Sequence, residues 1–118
     1  MRRPPLTIII VTKNEEKQIG PCLTAIGDFA DVLIVDSNSD DMTANIARQA
    51  GAEVASFSWD GHYPKKRQYI LDNVPLKHDW VLFLDADERL TQKLKNDIER
   101  IFRSGPRHDG YFIRGLYK

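Results

Sequence analysis

The sequence has little cysteine, no long apolar run and no excess of charge of either sign. Cys22 is the only cysteine among 118 residues, which excludes an internal disulfide and a cysteine-based zinc site and suits a reducing compartment. The longest apolar stretch, residues 6–11, contains Thr7 and is too short to span a bilayer. Lys plus Arg and Asp plus Glu number 17 each, so bulk electrostatic attraction cannot hold nucleic acid or an anionic membrane.

Three common catalytic and phosphate-binding signatures are also missing. Residues 12–18, between the first predicted strand and helix, contain no glycine, which excludes a dinucleotide fingerprint and a P-loop there. No Gly-x-Ser-x-Gly motif occurs, and His62, His78 and His108 are scattered without metal-ligand spacing. Function must therefore come from another kind of site.

The residues that are present predict an α/β domain. Apolar residues make up 42% and charged residues 29% of the chain, as in ordinary globular proteins. Buried strands alternate with amphipathic helices, which predicts a mostly parallel sheet with right-handed crossovers. Asn14, Asp40 and Thr91 are expected to cap helices. The predicted strands cover residues 6–12, 32–35, 54–57, 80–84 and 111–113, and the third of four helices covers residues 65–73.

Carboxylates follow the predicted strands, at the edge where parallel sheets bind ligands. Glu15 comes after the first strand, and Asp36 ends the second. Asp85 and Asp87 follow the strongest strand at positions i and i+2, which are expected to point to the same side. Two such carboxylates repel unless a cation lies between them, and their hard oxygens suit Mg²⁺ or Mn²⁺ shared with a substrate phosphate.

Lys65, Lys66 and Arg67 form the one dense basic cluster of the sequence, at the predicted start of the third helix. A helix N-terminus with an arginine favours phosphate, although such a run is more often a solvated helix turn. Together with Asp85 and Asp87, the cluster predicts a site for a diphosphate.

Three motifs in this order resemble the successive signatures of family 2 glycosyltransferases. They are TIIIVTKNEE at residues 7–16, VDSNSDDMT at residues 35–43 and FLDADE at residues 83–88. The stretch WDGHYPKKRQ at residues 59–68 resembles the subgroup related to lipopolysaccharide-core glucosyltransferases. The resemblance implies the Rossmann-like GT-A fold and inverting transfer of a sugar from a nucleotide-sugar to an acceptor hydroxyl.

The resemblance also implies roles for individual residues. Thr12 and Glu15 would border the base and ribose of the nucleotide, with Asp36 beside the base. Arg67 would approach the diphosphate. Many family members have a second aspartate after the one that ends the second strand. Ser37 stands in that position here, which leaves the nucleotide open.

For the metal, the resemblance implies that Asp87 ligates a divalent Mg²⁺ or Mn²⁺ ion that bridges the phosphates. Asp85 would hold the ribose or a metal-bound water. The metal and nearby cations would offset the charge that builds on the departing nucleoside diphosphate.

The general base of these enzymes lies well downstream of the Asp-x-Asp motif, and Glu88 is the one local carboxylate that could replace it. We therefore expect residues 1–118 to be a single nucleotide-sugar-binding domain, the N-terminal part of a longer enzyme. The resemblance also implies a role in cell-envelope polysaccharide biosynthesis, a glycan or lipid-linked acceptor, and a cytoplasmic location, at or near the membrane face. An open sheet edge would favour self-association.

Two other folds place acidic residues at strand ends. A signalling receiver domain binds Mg²⁺ and is phosphorylated on aspartate, but its acidic pair follows the first strand. A haloacid-dehalogenase-type phosphotransferase also has its Asp-x-Asp after the first strand, with threonine or valine two residues beyond. Here the pair follows the fourth predicted strand, and Arg89 stands two residues after it.

Overall fold

The computed structural model describes residues 6–56 and 80–104 of the chain. These residues form four strands and three helices, which alternate up to the third strand. The strands are β1 (Leu6–Thr12), β2 (Asp31–Asp36), β3 (Glu53–Ser56) and β4 (Trp80–Asp85), and the helices are α1 (Glu16–Ile26), α2 (Thr43–Gln49) and α3 (Gln92–Ser104).

The four strands pair in the order β3-β2-β1-β4, and every pair is parallel. In register, Thr7 lies beside Asp31 on β2 and Val81 on β4. This confirms the predicted α/β fold with a parallel, Rossmann-like sheet. The order also distinguishes it from a receiver domain, which has the flavodoxin-like order 2-1-3-4-5.

Strands β1, β2 and β4 carry apolar side chains on both faces, as strands of a buried parallel sheet do. One face forms the main core with residues of all three helices, and Ile8, Ile10 and Ile34 are fully buried there. The opposite face holds a smaller cluster of Ile9, Leu33, Val35 and Phe83, to which none of the described helices contributes. Alternation along β1 therefore separates two cores, as the unbroken β-branched run predicts.

The structure confirms the predicted start and packing of α3, the last helix in the described part of the chain. The Thr91 hydroxyl accepts the Leu94 amide hydrogen at 3.1 Å, which is the expected cap. Ile98 is buried, and Phe102 packs edge-to-face against Trp80 with ring centroids 5.9 Å apart. Helix α3 is thereby fastened to the start of β4.

Several predicted elements lie wholly or partly outside the described residues. They are the aromatic loop at residues 59–64, the third predicted helix at 65–73 with Arg67, and the last predicted strand at 111–113. The third strand begins one residue earlier than predicted, at Glu53, and the predicted last residue of this strand lies outside the described residues. None of the described helices has both the length and the apolar composition that crossing a membrane requires.

Candidate functional site

The carboxyl ends of β1, β2 and β4 lie side by side and bring the predicted site residues to one edge of the sheet. After β1 the chain moves outward to β2 and β3, and β4 then pairs on the other side of β1. In α/β sheets, ligands bind where the strand order reverses in this way. Here that point lies between β1 and β4, where Val11 is the register partner of Asp85.

Asp36 is the centre of a buried hydrogen-bond network at this edge. Its Oδ1 accepts the Thr12 and Ser39 hydroxyls, each at 2.6 Å, and its Oδ2 accepts the Ser39 amide at 2.9 Å. Asp36 is 3% exposed and Thr12 is 1% exposed. The structure thus joins two predicted nucleotide-binding residues directly to each other.

This network also keeps Asp36 ionised. Burial alone would raise the pKa of Asp36, but the hydrogen bonds from the Ser39 and Thr12 hydroxyls and the Ser39 amide outweigh it and lower the pKa below its ordinary value. A fixed negative charge therefore stands beneath the loop that follows β2.

The loops after β1 and β2 are tied together through asparagine and serine. The Asn14 amide donates to Ser39 Oγ at 2.8 Å, and the Asp40 amide donates to Asn14 Oδ1 at 2.8 Å. Lys13 Nζ donates to the Asn38 carbonyl at 2.7 Å. Asn14 and Asn38 both have φ of 53°, a left-handed conformation that asparagine adopts more readily than most residues.

The prediction that Asn14 caps α1 is therefore wrong. Its side chain bonds to the neighbouring loop, and Glu15 occupies the cap position without a side-chain cap bond. Glu15, a predicted nucleotide-binding residue, is half-buried, and its amide donates to Thr43 Oγ1 at 2.8 Å. Helix α1 thus begins against the first residue of α2.

The prediction that Asp40 caps α2 is also wrong, because Met42 occupies the cap position. Asp41, which precedes Met42, bonds to the first residue of the helix. Its Oδ1 accepts the Thr43 amide at 2.9 Å, and the same oxygen accepts the Thr43 hydroxyl. Its Oδ2 also accepts the Glu16 amide of α1 at 3.2 Å, while Glu16 Oε2 accepts the Met42 amide before α2 at 3.3 Å. The two helix starts therefore cap each other, and these amides are already satisfied by side chains of the chain itself.

Residues Asp85, Ala86, Asp87 and Glu88 form a tight turn at the end of β4, which we call the acidic turn. The Glu88 amide donates to the Asp85 carbonyl at 2.9 Å, and the Asp85 amide donates to Glu88 Oε1 at 2.8 Å. Ala86 is 2% exposed and belongs to the main core, whereas Asp85 and Asp87 are exposed. The strand ends at Asp85, so strand alternation does not place Asp87, contrary to the reasoning from sequence.

The carboxylates of the acidic turn differ in what they contact. Glu88 accepts the Asp85 amide, which gives this side chain a structural role. Among the described residues, neither the Asp85 nor the Asp87 carboxylate has a hydrogen-bond or ion-pair partner. The described part of the chain contains no group of three or more His, Cys, Asp or Glu side chains that could hold a metal ion. The acidic turn therefore offers two hard oxygen donor groups and leaves further positions to water or a ligand.

Arg89 and Cys22, which were not predicted to belong to the site, contact the backbone of the acidic turn. Arg89 Nη1 donates to the carbonyls of Ala86 and Glu88 at 2.9 and 3.0 Å, and its Nη2 donates to Gln18 Oε1 of α1 at 2.6 Å. Cys22 Sγ lies 3.9 Å from the Asp85 carbonyl oxygen. Burial raises the pKa of Cys22 to about 11, with Arg89 opposing, so this thiol is a packing group rather than a nucleophile.

A cleft of about 660 Å³ lies at the other edge of the sheet, where the strands begin. It runs between the ends of α1 and α2 and the starts of β1, β2 and β3. Thr7 lines it, and the Thr7 hydroxyl is a buried oxygen without a hydrogen-bond partner in the described part of the chain. The predicted site residues all lie at the opposite edge, apart from Arg67, which is outside the described residues.

Comparison with known proteins identifies related sequences. The model of the family described as glycosyl transferase family 2 matches residues 7–107. An uncharacterized glycosyltransferase of Rickettsia typhi is 38% identical over 100 residues, which cover 84% of this chain and 33% of the relative. The lipopolysaccharide core biosynthesis glycosyltransferase LpsC of Rhizobium meliloti is 33% identical over 96 residues, covering 77% of this chain and 34% of the relative. The chain thus spans about a third of the length of these curated relatives.

Solved structures share the fold. The mannosyltransferase PcManGT from Pyrobaculum calidifontis, in complex with GDP-Man and Mn²⁺, matches with a TM-score of 0.62 at 23% identity. The match covers 90% of this chain and 34% of that one. Glucosyl-3-phosphoglycerate synthase from Mycobacterium tuberculosis, in complex with Mn²⁺, UDP and glucosyl-3-phosphoglycerate, matches with a TM-score of 0.50 at 22% identity. The match covers 70% of this chain and 33% of that one.

Proposed function

Because this chain belongs to glycosyl transferase family 2, we propose that it binds the nucleotide-sugar donor of a metal-dependent, inverting glycosyltransferase. The observation that carries this proposal is the contrast among carboxylates at the carboxyl edge. Asp36, Asp41 and Glu88 accept hydrogen bonds from the chain, whereas the exposed Asp85 and Asp87 carboxylates have no partner among the described residues. The relatives are glycosyltransferases, and two neighbours in fold were solved with Mn²⁺ and a nucleotide.

The acidic turn is the proposed metal site. Asp87 would ligate a Mg²⁺ or Mn²⁺ ion, and Asp85 would hold the ribose or a metal-bound water. Both side chains are exposed, and their hard oxygens fit an ion that keeps several waters and shares a phosphate. When bound, the ion would supply positive charge to stabilise the nucleoside diphosphate as it leaves.

Thr12, Glu15 and Asp36 would shape the part of the site that meets the nucleoside. A carboxylate has about four acceptor positions. In Asp36, three of the four are already occupied by hydrogen-bond donors of the chain. The remaining position, on Oδ2, suits one N–H group of a base. Thr12 acts on the nucleotide through Asp36, since its hydroxyl is buried and donates to that carboxylate. Arg67 would approach the diphosphate.

The acceptor and the general base belong to the wider proposal. We propose that residues 1–118 are the donor-binding domain of a longer enzyme, whose remaining part supplies the base and the acceptor site. The LpsC relative, named for lipopolysaccharide core biosynthesis, supports a glycan or lipid-linked acceptor of the cell envelope. We propose that the transfer takes place at the cytoplasmic face of the membrane. Self-association through an open sheet edge is part of the same proposal.

Calorimetric titration tests the donor site. The protein is titrated with GDP-mannose, UDP-glucose and a dTDP-sugar, with Mn²⁺ and with a chelator. We expect one nucleotide-sugar to bind only with the metal, and Asp87→Ala to abolish that binding. Glu53→Ala is the matched control, because it removes an exposed carboxylate at the opposite edge of the sheet. Binding that is unaffected by both the chelator and Asp87→Ala would overturn the metal site.

A further inference from the structure

Arg89 forms the one described link between the acidic turn and α1 that uses a charged side chain. The guanidinium is half-buried, and it donates to the carbonyls of Ala86 and Glu88 within or at the end of the turn. Its other terminal nitrogen donates to Gln18 Oε1 in the first turns of α1. The planar fork of arginine makes these bonds in fixed directions, which a lysine ammonium cannot reproduce.

The bonds of Arg89 determine which groups of the acidic turn face outward. Two of its backbone carbonyls accept from Arg89, and the Asp85 carbonyl accepts the Glu88 amide. The Asp85 amide is held by the Glu88 carboxylate, and Ala86 is buried in the main core. With these backbone groups and the Glu88 side chain engaged, the exposed Asp85 and Asp87 carboxylates are the side chains of the turn that remain available to a ligand.

Charge adds a second reason for an arginine here. The acidic turn carries three carboxylates within four residues, and like charges so close together destabilise the turn. Arg89 follows directly and supplies a positive charge, while its contact outside the turn is the neutral amide of Gln18. Among the described residues, the guanidinium makes no hydrogen bond or ion pair with Asp85 or Asp87, so the cation offsets their repulsion without occupying their oxygens.

We propose that Arg89, held by Gln18, is a positioning residue that fixes the acidic turn for binding of the divalent cation. This inference rests on the proposed function, because it assumes that Asp85 and Asp87 meet a metal. Arg89 would act through the backbone of the turn and would not touch the ion. Residues that support metal ligands in this way affect metal affinity about 10- to 100-fold when they are removed.

The test measures Mn²⁺ binding by electron paramagnetic resonance, with GDP and separately with UDP present, below the unfolding temperature of each variant. We expect Arg89→Ala to raise the Kd for Mn²⁺ by about tenfold or more. Compared with Arg89→Ala, Arg89→Lys should recover more of the thermal stability than of the Mn²⁺ affinity, because lysine keeps the positive charge but lacks the planar guanidinium. Gln18→Ala should raise the Kd by a smaller factor. Arg100→Lys on α3 is the matched control, since Arg100 is exposed and contacts Asp97 of the same helix.

The outcomes separate this inference from the proposed function. If Asp87→Ala abolishes Mn²⁺ binding while Arg89→Lys, Arg89→Ala and Gln18→Ala stay within twofold of the parent protein, Arg89 has no positioning role. If Asp87→Ala also leaves Mn²⁺ binding unchanged, the metal site itself is refuted. Should Arg89→Ala fail to fold, Arg89→Lys and Gln18→Ala still decide the question, because each retains a cation at position 89.

Discussion

Thr7 and Thr12 stand near the two ends of β1, and both are buried. The Thr12 hydroxyl donates to Asp36 and is part of a network that ties two loops together. Thr7 lines a cleft, and its buried hydroxyl has no hydrogen-bond partner among the described residues. The hydroxyl of Thr12 is therefore hydrogen-bonded at one edge of the sheet, whereas the hydroxyl of Thr7 at the other edge has no partner among the described residues. An edge that binds ligand needs fixed loops, and buried hydrogen bonds supply that rigidity.

Among the substitutions that test this difference between the two edges, we expect Asp36→Ala to have the largest effect on the free energy of unfolding. The substitution leaves the Thr12 hydroxyl and the Ser39 amide without their acceptor, and we expect it to lower the free energy of unfolding by about 3 kcal/mol. Urea denaturation measures the change. Asp36→Asn should cost less, because its remaining oxygen can still accept from both hydroxyls. A loss below about 1 kcal/mol for Asp36→Ala would show that the network does not hold the edge together.

The same residue predicts a dependence on pH. The pKa of Asp36 is lower in the folded protein, so its contribution to stability is present above the unfolded pKa of about 3.9 and is lost as pH falls through the folded pKa. Asp36→Asn should therefore make the unfolding free energy depend less steeply on pH as the pH falls below about 4. An unchanged slope would contradict the hydrogen-bonded, ionised Asp36 described above.

The second-largest effect on stability is expected at the opposite edge of the sheet, where Gly27 ends α1. Its φ of 60° and ψ of −135° lie in a region that side chains disfavour, so we expect Gly27→Ala to cost about 2 kcal/mol. Gly20→Ala within α1 is the control. A Cβ there would lie 3.8 Å from Ile46 Cγ2, an ordinary contact, and alanine should stabilise the helix by about 0.5–1 kcal/mol. Thermal unfolding of both variants checks the difference, and equal costs would refute it.

The smallest effects test the two threonines directly. Valine has nearly the shape of threonine without the hydroxyl. Thr12→Val should cost about 1.5 kcal/mol, because Asp36 loses a donor, whereas Thr7→Val should gain about 0.5 kcal/mol by removing an unpaired buried oxygen. Parallel urea titrations give both values. Equal losses at the two positions would mean that the edges do not differ as the hydrogen bonds indicate.

The fold could be predicted because the strands are marked by sequence composition alone. The apolar runs in β1 and β4 are rare outside buried parallel strands, and Thr91 before α3 has no other Ser, Thr, Asp or Asn within three residues that could compete as the cap. The helix starts of α1 and α2 were harder to assign. Several polar residues stand side by side there, and the choice between Asp40 and Asp41 depends on the amide of Glu16 in another loop.

The site could be predicted only as far as strand ends define it. Asp36 and Asp85 could be predicted as site residues because they end β2 and β4, but their contacts could not be predicted. Arg89 escaped assignment because its partner Gln18 is 71 positions away and neither residue belongs to a recognisable pattern. A link of this kind depends on the packing of α1 against the end of β4, which periodicity does not report.

The position of β1 between β2 and β4 also has a consequence for how the chain folds. Thr7 pairs with Asp31, which closes a short loop, while Leu6 pairs with Trp80 across about three times as many residues. The longer closure costs about 1 kcal/mol more in chain entropy, so we expect β1 and β2 to associate early and β4 to join them late. The acidic turn at the end of β4 would then acquire its shape in the final stage of folding, on a surface that is already assembled.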